Sequence, residues 1–248
     1  RLYRRFMRVL ETGAPIEEEI EAAWDRHGAR WFRHQVVPVD GGLAVTLRDI
    51  DDAKRAQQRL ERLANLDSLT SLPNRRQFIE HAQSAIERCK AQGTNLGVRF
   101  IDLDNFKNVN DTLGHDVGDL LLQAVAVRLQ SCVRADDIIW RLGGDEFIVT
   151  MEAVRNRAEA EVACRRIADA LGPPFVIRDL SISTSASIGV AFCPEDAEDA
   201  NALLKNADLA MYHAKEFGSG AYQFFTEAMG MRRSARVDVE QALRGALR

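Results

Sequence analysis

Cysteine, positive charge in excess and long apolar runs are all scarce in this 248-residue chain, and each scarcity removes a class of protein. No stretch approaches the ~18 consecutive apolar residues of a membrane-spanning helix. Arg1, Arg4, Arg5 and Arg8 break any apolar core of the kind a secretory signal needs. No membrane contact is therefore expected within this stretch, and the cytoplasm is its expected location; any membrane anchor would lie elsewhere in the intact protein. The four cysteines, Cys89, Cys132, Cys164 and Cys193, are too scattered for a zinc knuckle or a Cys-x-x-Cys redox pair. Buried free thiols in a reducing compartment are expected instead. Lys and Arg number 33 against 37 Asp and Glu, a net charge of -4, so electrostatics give no case for binding long nucleic acid.

What is present is ordinary globular composition, 46% hydrophobic and 28% charged, long enough for one full domain and something smaller. Residues 1–49 hold an acidic stretch, Glu17 to Glu21, expected to be helical. Two strand-like runs follow, Arg30 to Val39 and Leu43 to Arg48, with Gly41-Gly42 as their turn. So short a segment buries little core, and it reads as the tail of a domain whose front lies outside the chain. Over 50–66, Ala53, Ala56, Leu60 and Leu63 recur at helical spacing, either as a seam for a second helix or as one sticky face of a solvated connector.

Residues 67–226 read as one α+β domain. Helical faces are expected around Phe78 to Cys89, Leu122 to Val133, Ala160 to Ala170 and Leu203 to Ala214. Strands are expected at Leu96 to Ile101, on both sides of Gly143-Gly144, along Ile182 to Phe192 with two unlike faces, and at Tyr222 to Phe225. The hairpin makes the sheet mixed. Residues 227–248, with Arg232, Arg233, Arg236, Val239, Leu243 and Leu247, read as an amphipathic helix leading elsewhere.

Three clusters carry chemistry. Asp102-Leu103-Asp104 ends a buried strand, where acids either reach solvent or hold a cation. Gly143-Gly144-Asp145-Glu146 is either a plain hairpin turn or a place where backbone approaches a ligand and acids complete a metal site. Hard oxygen ligands at these two places suit Mg²⁺ carrying a nucleotide's phosphates. Lys107, Asn110, His115, Asp116 and Asp119 form the third cluster. A carboxylate beside a carboxamide matches guanine's donors and acceptors, although a helix-capping loop would use the same residues.

Together, residues 100–119 (Phe-Ile-Asp-Leu-Asp-Asn-Phe-Lys through Gly-His-Asp-Val-Gly-Asp) and 141–147 (Arg-Leu-Gly-Gly-Asp-Glu-Phe) closely resemble the GGDEF family of diguanylate cyclases. The opening Asp-Ser-Leu-Thr-Ser-Leu-Pro-Asn-Arg (67–75) resembles that family's opening motif, with Ser71 where glycine is usual. The resemblance implies a palm-like nucleotidyl-cyclase fold, a mixed central sheet flanked by helices. It implies condensation of two GTP into cyclic di-GMP with Mg²⁺ (or Mn²⁺) across a homodimer. On it, Asp102, Asp145 and the Leu103 carbonyl bind metal. Asp145 serves as base with Glu146 beside it, and Lys107 and Lys215 balance phosphate charge. Asn110 and Asp119 read guanine, and His115, Gly143 and Gly144 complete the substrate site. Arg134 and Asp137 match an Arg-x-x-Asp product-inhibition site, although a surface ion pair closing a turn has the same residues.

One departure stands out: Gly218-Ser219-Gly220 replaces the usual Gly-Arg-Asn, so a phosphate-holding arginine is a serine. The flanks resemble the last strands of a PAS sensor, running into its signal helix, and the lead-in to an EAL phosphodiesterase domain. They suggest the alternative of a GTP-binding regulator that does no chemistry and controls a downstream phosphodiesterase.

Overall fold

The computed structural model describes residues 2–25 and 28–230, and they divide into two compact units between Ala64 and Asn65. In the first unit, α1 (Leu2–Thr12) leads into an antiparallel meander of β1 (Ile16–Asp25), β2 (Gly28–Val39) and β3 (Gly42–Asp49). The expected hairpin at Gly41-Gly42 forms, with Val39 opposite Gly42 and Val36 opposite Val45.

The acidic stretch does not form the expected helix, because Glu17 to Glu21 lie in β1. A helix would set like charges one turn apart, which disfavours it. As a strand, the run puts Ile16 and Ile20 opposite Val36 and Phe32, both buried. Its acids then meet cations: Arg33 lies 3.7 Å from Glu17 and 3.0 Å from Glu19, and Arg5 pairs with Glu18. The sequence pattern also missed α1, which buries Val9 and sets the Phe6 ring 5.8 Å from His34. The connector is helical, α2 (Asp51–Asn65), with Ala53 and Ala56 of its expected seam exposed.

The second unit begins with α3 (Arg75–Gln92). Asn74 caps it by accepting from the Arg76 and Gln77 N–H groups, and Gly93 ends it at φ 66°. The elements then run β4 (Asn95–Leu103), α4 (Phe106–Leu113), α5 (His115–Cys132), β5 (Ile138–Gly143), β6 (Glu146–Val154) and α6 (Arg157–Leu171). After these come the small hairpin β7 (Phe175–Ile177) and β8 (Leu180–Ile182), then β9 (Ala186–Cys193), α7 (Ala200–Phe217) and β10 (Tyr222–Phe224). The five-stranded sheet has the order β10-β9-β4-β6-β5, with β10 parallel to β9 and the other pairs antiparallel.

Alternation along β4 divides the core. Val98 and Phe100 pack with α3 and α7, whereas Ile101 and Leu103 pack with α4, α5 and α6. The strand expected over 182–192 is shorter than the pattern suggested. Ile182 belongs to the small hairpin, while every residue of β9 is buried and its two faces differ as expected, Ile188, Val190 and Phe192 packing into one core and Ala191 and Cys193 into the other. Helices cover both sides, and the small residues Ser187, Gly189 and Ala191 reflect close approach rather than exposure. A Cβ on Gly189 would lie 2.0 Å from the Ala207 carbonyl oxygen and 2.1 Å from the Met211 nitrogen, so α7 rests directly on the strand backbone.

Among the described residues no helix is long and apolar enough to cross a membrane. Helical backbone covers 227–230; the rest of the expected C-terminal helix lies outside the described residues.

Ser71 shows why its position favours glycine: its φ is 58°, in the left-handed region, while its N–H bonds the Asp67 carbonyl at 2.9 Å. That conformation costs an L-residue about 1 kcal/mol or more, of which glycine's greater unfolded-state freedom returns roughly half. Ser71→Gly is expected to raise the urea midpoint by the equivalent of about 0.5 kcal/mol at unchanged slope. A lower midpoint would mean that the serine hydroxyl holds the turn.

Candidate active site

Strand pairing builds the site. Asp102, near the end of β4, lies directly opposite Glu146, the first residue of β6. Gly143 also faces Glu146, so Gly144 and Asp145 form the tip of a two-residue turn beside Asp102. Gly143 and Gly144 take φ of 143° and 52°, which a side chain would resist, and a Cβ on either would meet nothing within 4 Å. The turn is thus bare backbone facing open space.

Arg141 holds the turn in place. Its Nε and Nη2 donate to the Gly144 carbonyl at 3.2 and 2.7 Å, and its Nη1 donates to Asp67 Oδ1 at 2.7 Å. Asp67 also accepts from the Thr70 N–H and hydroxyl. Burial alone would raise its carboxyl, but the bonds from Thr70 and Arg141 outweigh burial and hold it below the usual range. The opening motif is therefore a brace for the glycine turn. Neither Asp67 nor Arg141 had an assigned role, although both stand inside the motifs, and an arginine two residues before a glycine pair is the signal that could have found it.

Acidic groups crowd this end of the sheet. Asp102 is 8% exposed, and its Oδ1 lies 2.6 Å from Lys215 Nζ. Burial, helped by Asp145, raises its carboxyl above the ordinary value despite that lysine. Glu146 is raised as well, by burial first and then by Asp102, Asp208 and Asp145. A cation would relieve this repulsion. Among the described residues no three His, Cys, Asp or Glu side chains converge to hold an ion. Two carboxylates and one carbonyl still fit Mg²⁺, which keeps water and phosphate oxygens as its other ligands. Asp102, Asp145 and the Leu103 carbonyl thus suit a metal that arrives with phosphates.

Asp104 is occupied differently from its neighbour. Its carboxylate accepts from the Ser185 and Ser187 hydroxyls at 2.5 and 2.7 Å and from the Gly220 N–H at 2.9 Å. It ties the strand end to β9 and to the loop carrying Ser219, which is exposed.

The third cluster sits on a helical hairpin that the sequence pattern had not resolved as α4 and α5. Lys107 and Asn110 lie on α4, His115 and Asp119 on α5, with Gly114 between them. Asn110 is half-buried; Lys107, His115 and Asp119 are exposed. A Cβ on Gly118 would fall 1.9 Å from Asn110 Oδ1, so Gly118 makes the room for the carboxamide against α5, one residue before Asp119.

Arg134 and Asp137 stand apart. They precede β5, whose six residues put them roughly 20 Å from the glycine turn. The Arg134 N–H donates to Asp137 Oδ2 at 3.2 Å, and the Asp137 N–H bonds the Arg134 carbonyl at 3.1 Å. Their side chains do not pair with each other; the Arg134 guanidinium reaches Glu159 at 2.7 Å.

Two outcomes test this geometry. Arg141→Met should cost about 3 kcal/mol in urea unfolding, because Asp67 and the Gly144 carbonyl lose their partner. A loss below about 1 kcal/mol would mean that the turn holds itself. Asp102 and Glu146 bind protons more tightly folded than unfolded, where values near 3.8 and 4.5 apply. Their contribution is favourable below those values and is lost as pH rises through the raised folded ones. Asp102→Asn is therefore expected to flatten the fall in melting temperature as pH rises above the ordinary carboxylate range. An unchanged slope would show that the crowding is not felt.

The family profile "Diguanylate cyclase, GGDEF domain" matches residues 64–221. The chain is 41% identical over 221 residues to the cyclic di-GMP phosphodiesterase PdeR of Escherichia coli, covering 87% of this chain and 33% of that protein. It is 42% identical over 193 residues to the bifunctional diguanylate cyclase/cyclic di-GMP phosphodiesterase MucR of Pseudomonas aeruginosa, covering 78% of this chain and 28% of that protein. Among solved structures, the GGDEF domain of TpbB (YfiN) from Pseudomonas aeruginosa superposes with a TM-score of 0.66 at 38% identity, covering 68% of this chain and 99% of that one. The chain spans about a third or less of the length of these curated relatives.

Proposed function

Since the chain belongs to the GGDEF family of diguanylate cyclases, we propose that residues 67–226 condense two GTP into cyclic di-GMP and two pyrophosphates. The observation that carries this reading is the braced turn, with Asp145 beside a buried Asp102 in a cluster of acids short of cations. Each 3′-hydroxyl attacks the α-phosphate of the other nucleotide. One GTP per domain means that two domains must face each other, so the active species is a homodimer.

Asn110 and Asp119 bind the guanine edge, the carboxamide donating and the carboxylate accepting. The exposed His115 lines the same substrate site. The open backbone of Gly143 and Gly144 admits the nucleotide closely, and Asp145 takes the proton of the attacking hydroxyl with Glu146 beside it. Mg²⁺ held by Asp102, Asp145 and the Leu103 carbonyl would neutralise phosphate charge and polarise the reacting phosphate. Lys215 exchanges Asp102 for phosphate as the nucleotide enters, and Lys107 adds a second positive charge from the first turn of α4. Cyclic di-GMP binds back at Arg134 and Asp137 and inhibits. The first unit is read as the closing strands of a PAS-like sensor, α2 as the signal helix that aligns the two domains, and residues 227–248 as a link toward a further domain.

A second reading, a GTP-binding regulator without turnover, is favoured by Ser219, whose exposed position offers a hydroxyl where the family pattern has a guanidinium. Losing one charge-assisted contact to phosphate corresponds to roughly ten- to a hundredfold in rate or affinity. The test is incubation of concentrated protein with GTP and Mg²⁺, with cyclic di-GMP quantified by chromatography. Product is expected from the parent and none from Asp145→Asn; more than about one tenth of parental activity in that variant would remove Asp145 from the mechanism. Ser219→Arg is expected to raise turnover at least about tenfold. GTP binding without product, in both the parent and Ser219→Arg and in an enforced dimer, would establish the regulator.

A further inference from the structure

Arg99 is a buried cation that the proposed reaction does not use. It lies mid-way along β4, opposite Val149 and Val190, is 1% exposed, and heads the largest fully buried side chains. None of its three guanidinium nitrogens has a hydrogen-bond partner among the described residues. A central strand would ordinarily carry a β-branched or aromatic residue there, and a buried cation costs stability unless something compensates it.

The compensation points to one residue. Arg99 Nη2 lies 3.7 Å from Asp137 Oδ2, within ion-pair range but too far for a hydrogen bond, and the Asp137 side chain is itself only 3% exposed. The other ionic neighbours are Arg134 and Arg166, of like sign, and the nearby Cys164 thiol is pushed up to about 11 by burial, so it stays neutral. Asp137 is thus held from two sides, by the Arg134 N–H at the surface and by Arg99 from beneath. The same oxygen takes both.

We propose that Arg99 is a positioning residue for the product site: its guanidinium keeps the Asp137 carboxylate turned to meet a guanine edge of cyclic di-GMP while Arg134 takes the phosphate. The proposal rests on the reading of Arg134 and Asp137 as that site. With Oδ2 held by the Arg134 N–H and Arg99, Oδ1 is the acceptor left for guanine's ring N–H and exocyclic amine, and a carboxylate freed from Arg99 would rotate on its turn and withdraw it. Arg99 is remote from turnover, since Asp102 lies three residues on and its side chain points to the opposite face of the strand.

The experiment is calorimetric titration of the whole chain with cyclic di-GMP, and separately with GTP. It compares the parent with Arg99→Met, Arg134→Ala, Asp137→Ala and the Arg99→Met/Asp137→Ala double variant, with thermal melts to establish folding. Arg99→Met is expected to weaken cyclic di-GMP binding at least about tenfold and to leave GTP binding within about twofold. The double variant should bind no more weakly than Asp137→Ala alone, because Arg99 acts only through that carboxylate. Binding within twofold of the parent in Arg99→Met, with Arg134→Ala impaired, overturns the role of Arg99 and leaves the site standing; so does additivity in the double variant. No cyclic di-GMP binding by the parent, or unaltered binding by Arg134→Ala, overturns the site and the role with it. If Arg99→Met does not fold, Arg99→Lys is read instead: keeping the charge should keep binding within about fivefold, and a tenfold loss overturns the proposal.

Discussion

The grip of Arg141 on the Gly144 carbonyl is the constraint on which the rest of the site depends. A turn of two positive-φ glycines has no side chains of its own to fix it, yet it must hold Asp145 beside Asp102. A guanidinium donating twice to one carbonyl supplies the rigidity that glycine lacks, and the same group draws in Asp67 from before α3. A segment some seventy residues upstream thereby becomes part of the hairpin. This explains why the opening motif belongs with the glycine turn, although it contributes nothing to the acidic cluster itself.

The acids held there oppose the fold. Asp102 and Glu146 are both pushed toward protonation by burial and by the acids beside them, and among the described residues Lys215 is the cation that offsets Asp102. A sheet end designed for stability alone would not place them together. Asp104, one residue on from Leu103, shows the alternative: two hydroxyls and a backbone N–H satisfy it, and it serves the fold. The contrast between two acids in one tripeptide is what the proposed metal role of Asp102 rests on.

Much of this was legible in the sequence, for physical reasons that differ by element. The four long helices of the second unit, the hairpin and the family motif all follow from strong periodicity or from residues whose backbone needs are narrow, such as Gly93 and Gly144. The acidic stretch misled because its partners are non-local: Arg33 across the sheet and Arg5 in α1 turn four glutamates into a strand. The run from Ile182 to Phe192 was read correctly as two unlike faces but began too early, because alternation continues through Ile182 and Thr184, which precede β9. α4 was missed because its eight residues carry the polar groups of a binding loop. Asn110 was singled out from its chemistry alone; Gly118, against which its carboxamide packs, was not, since a glycine inside a helix gives no sign of what lies against it.

On the proposed function, the β5–β6 hairpin also separates two events that share a ligand. Its turn carries Asp145, and the Arg134–Asp137 turn lies at its far end, a full strand length away. Product bound at the second place does not touch the first, and strands paired on both sides, as β4 and β6 are, have little freedom to transmit a shift between them. On the reading proposed here, inhibition then has to act on something other than the geometry of a single site. The remaining variable is whether two domains can bring their nucleotides together, and a ligand large enough to engage surface on more than one domain can limit that approach. Arg99 is placed to matter for such a restraint and not for chemistry. It lies on the face of β4 away from Asp102 and toward Asp137, so one strand supports the acidic cluster and the Arg134–Asp137 turn by its opposite faces.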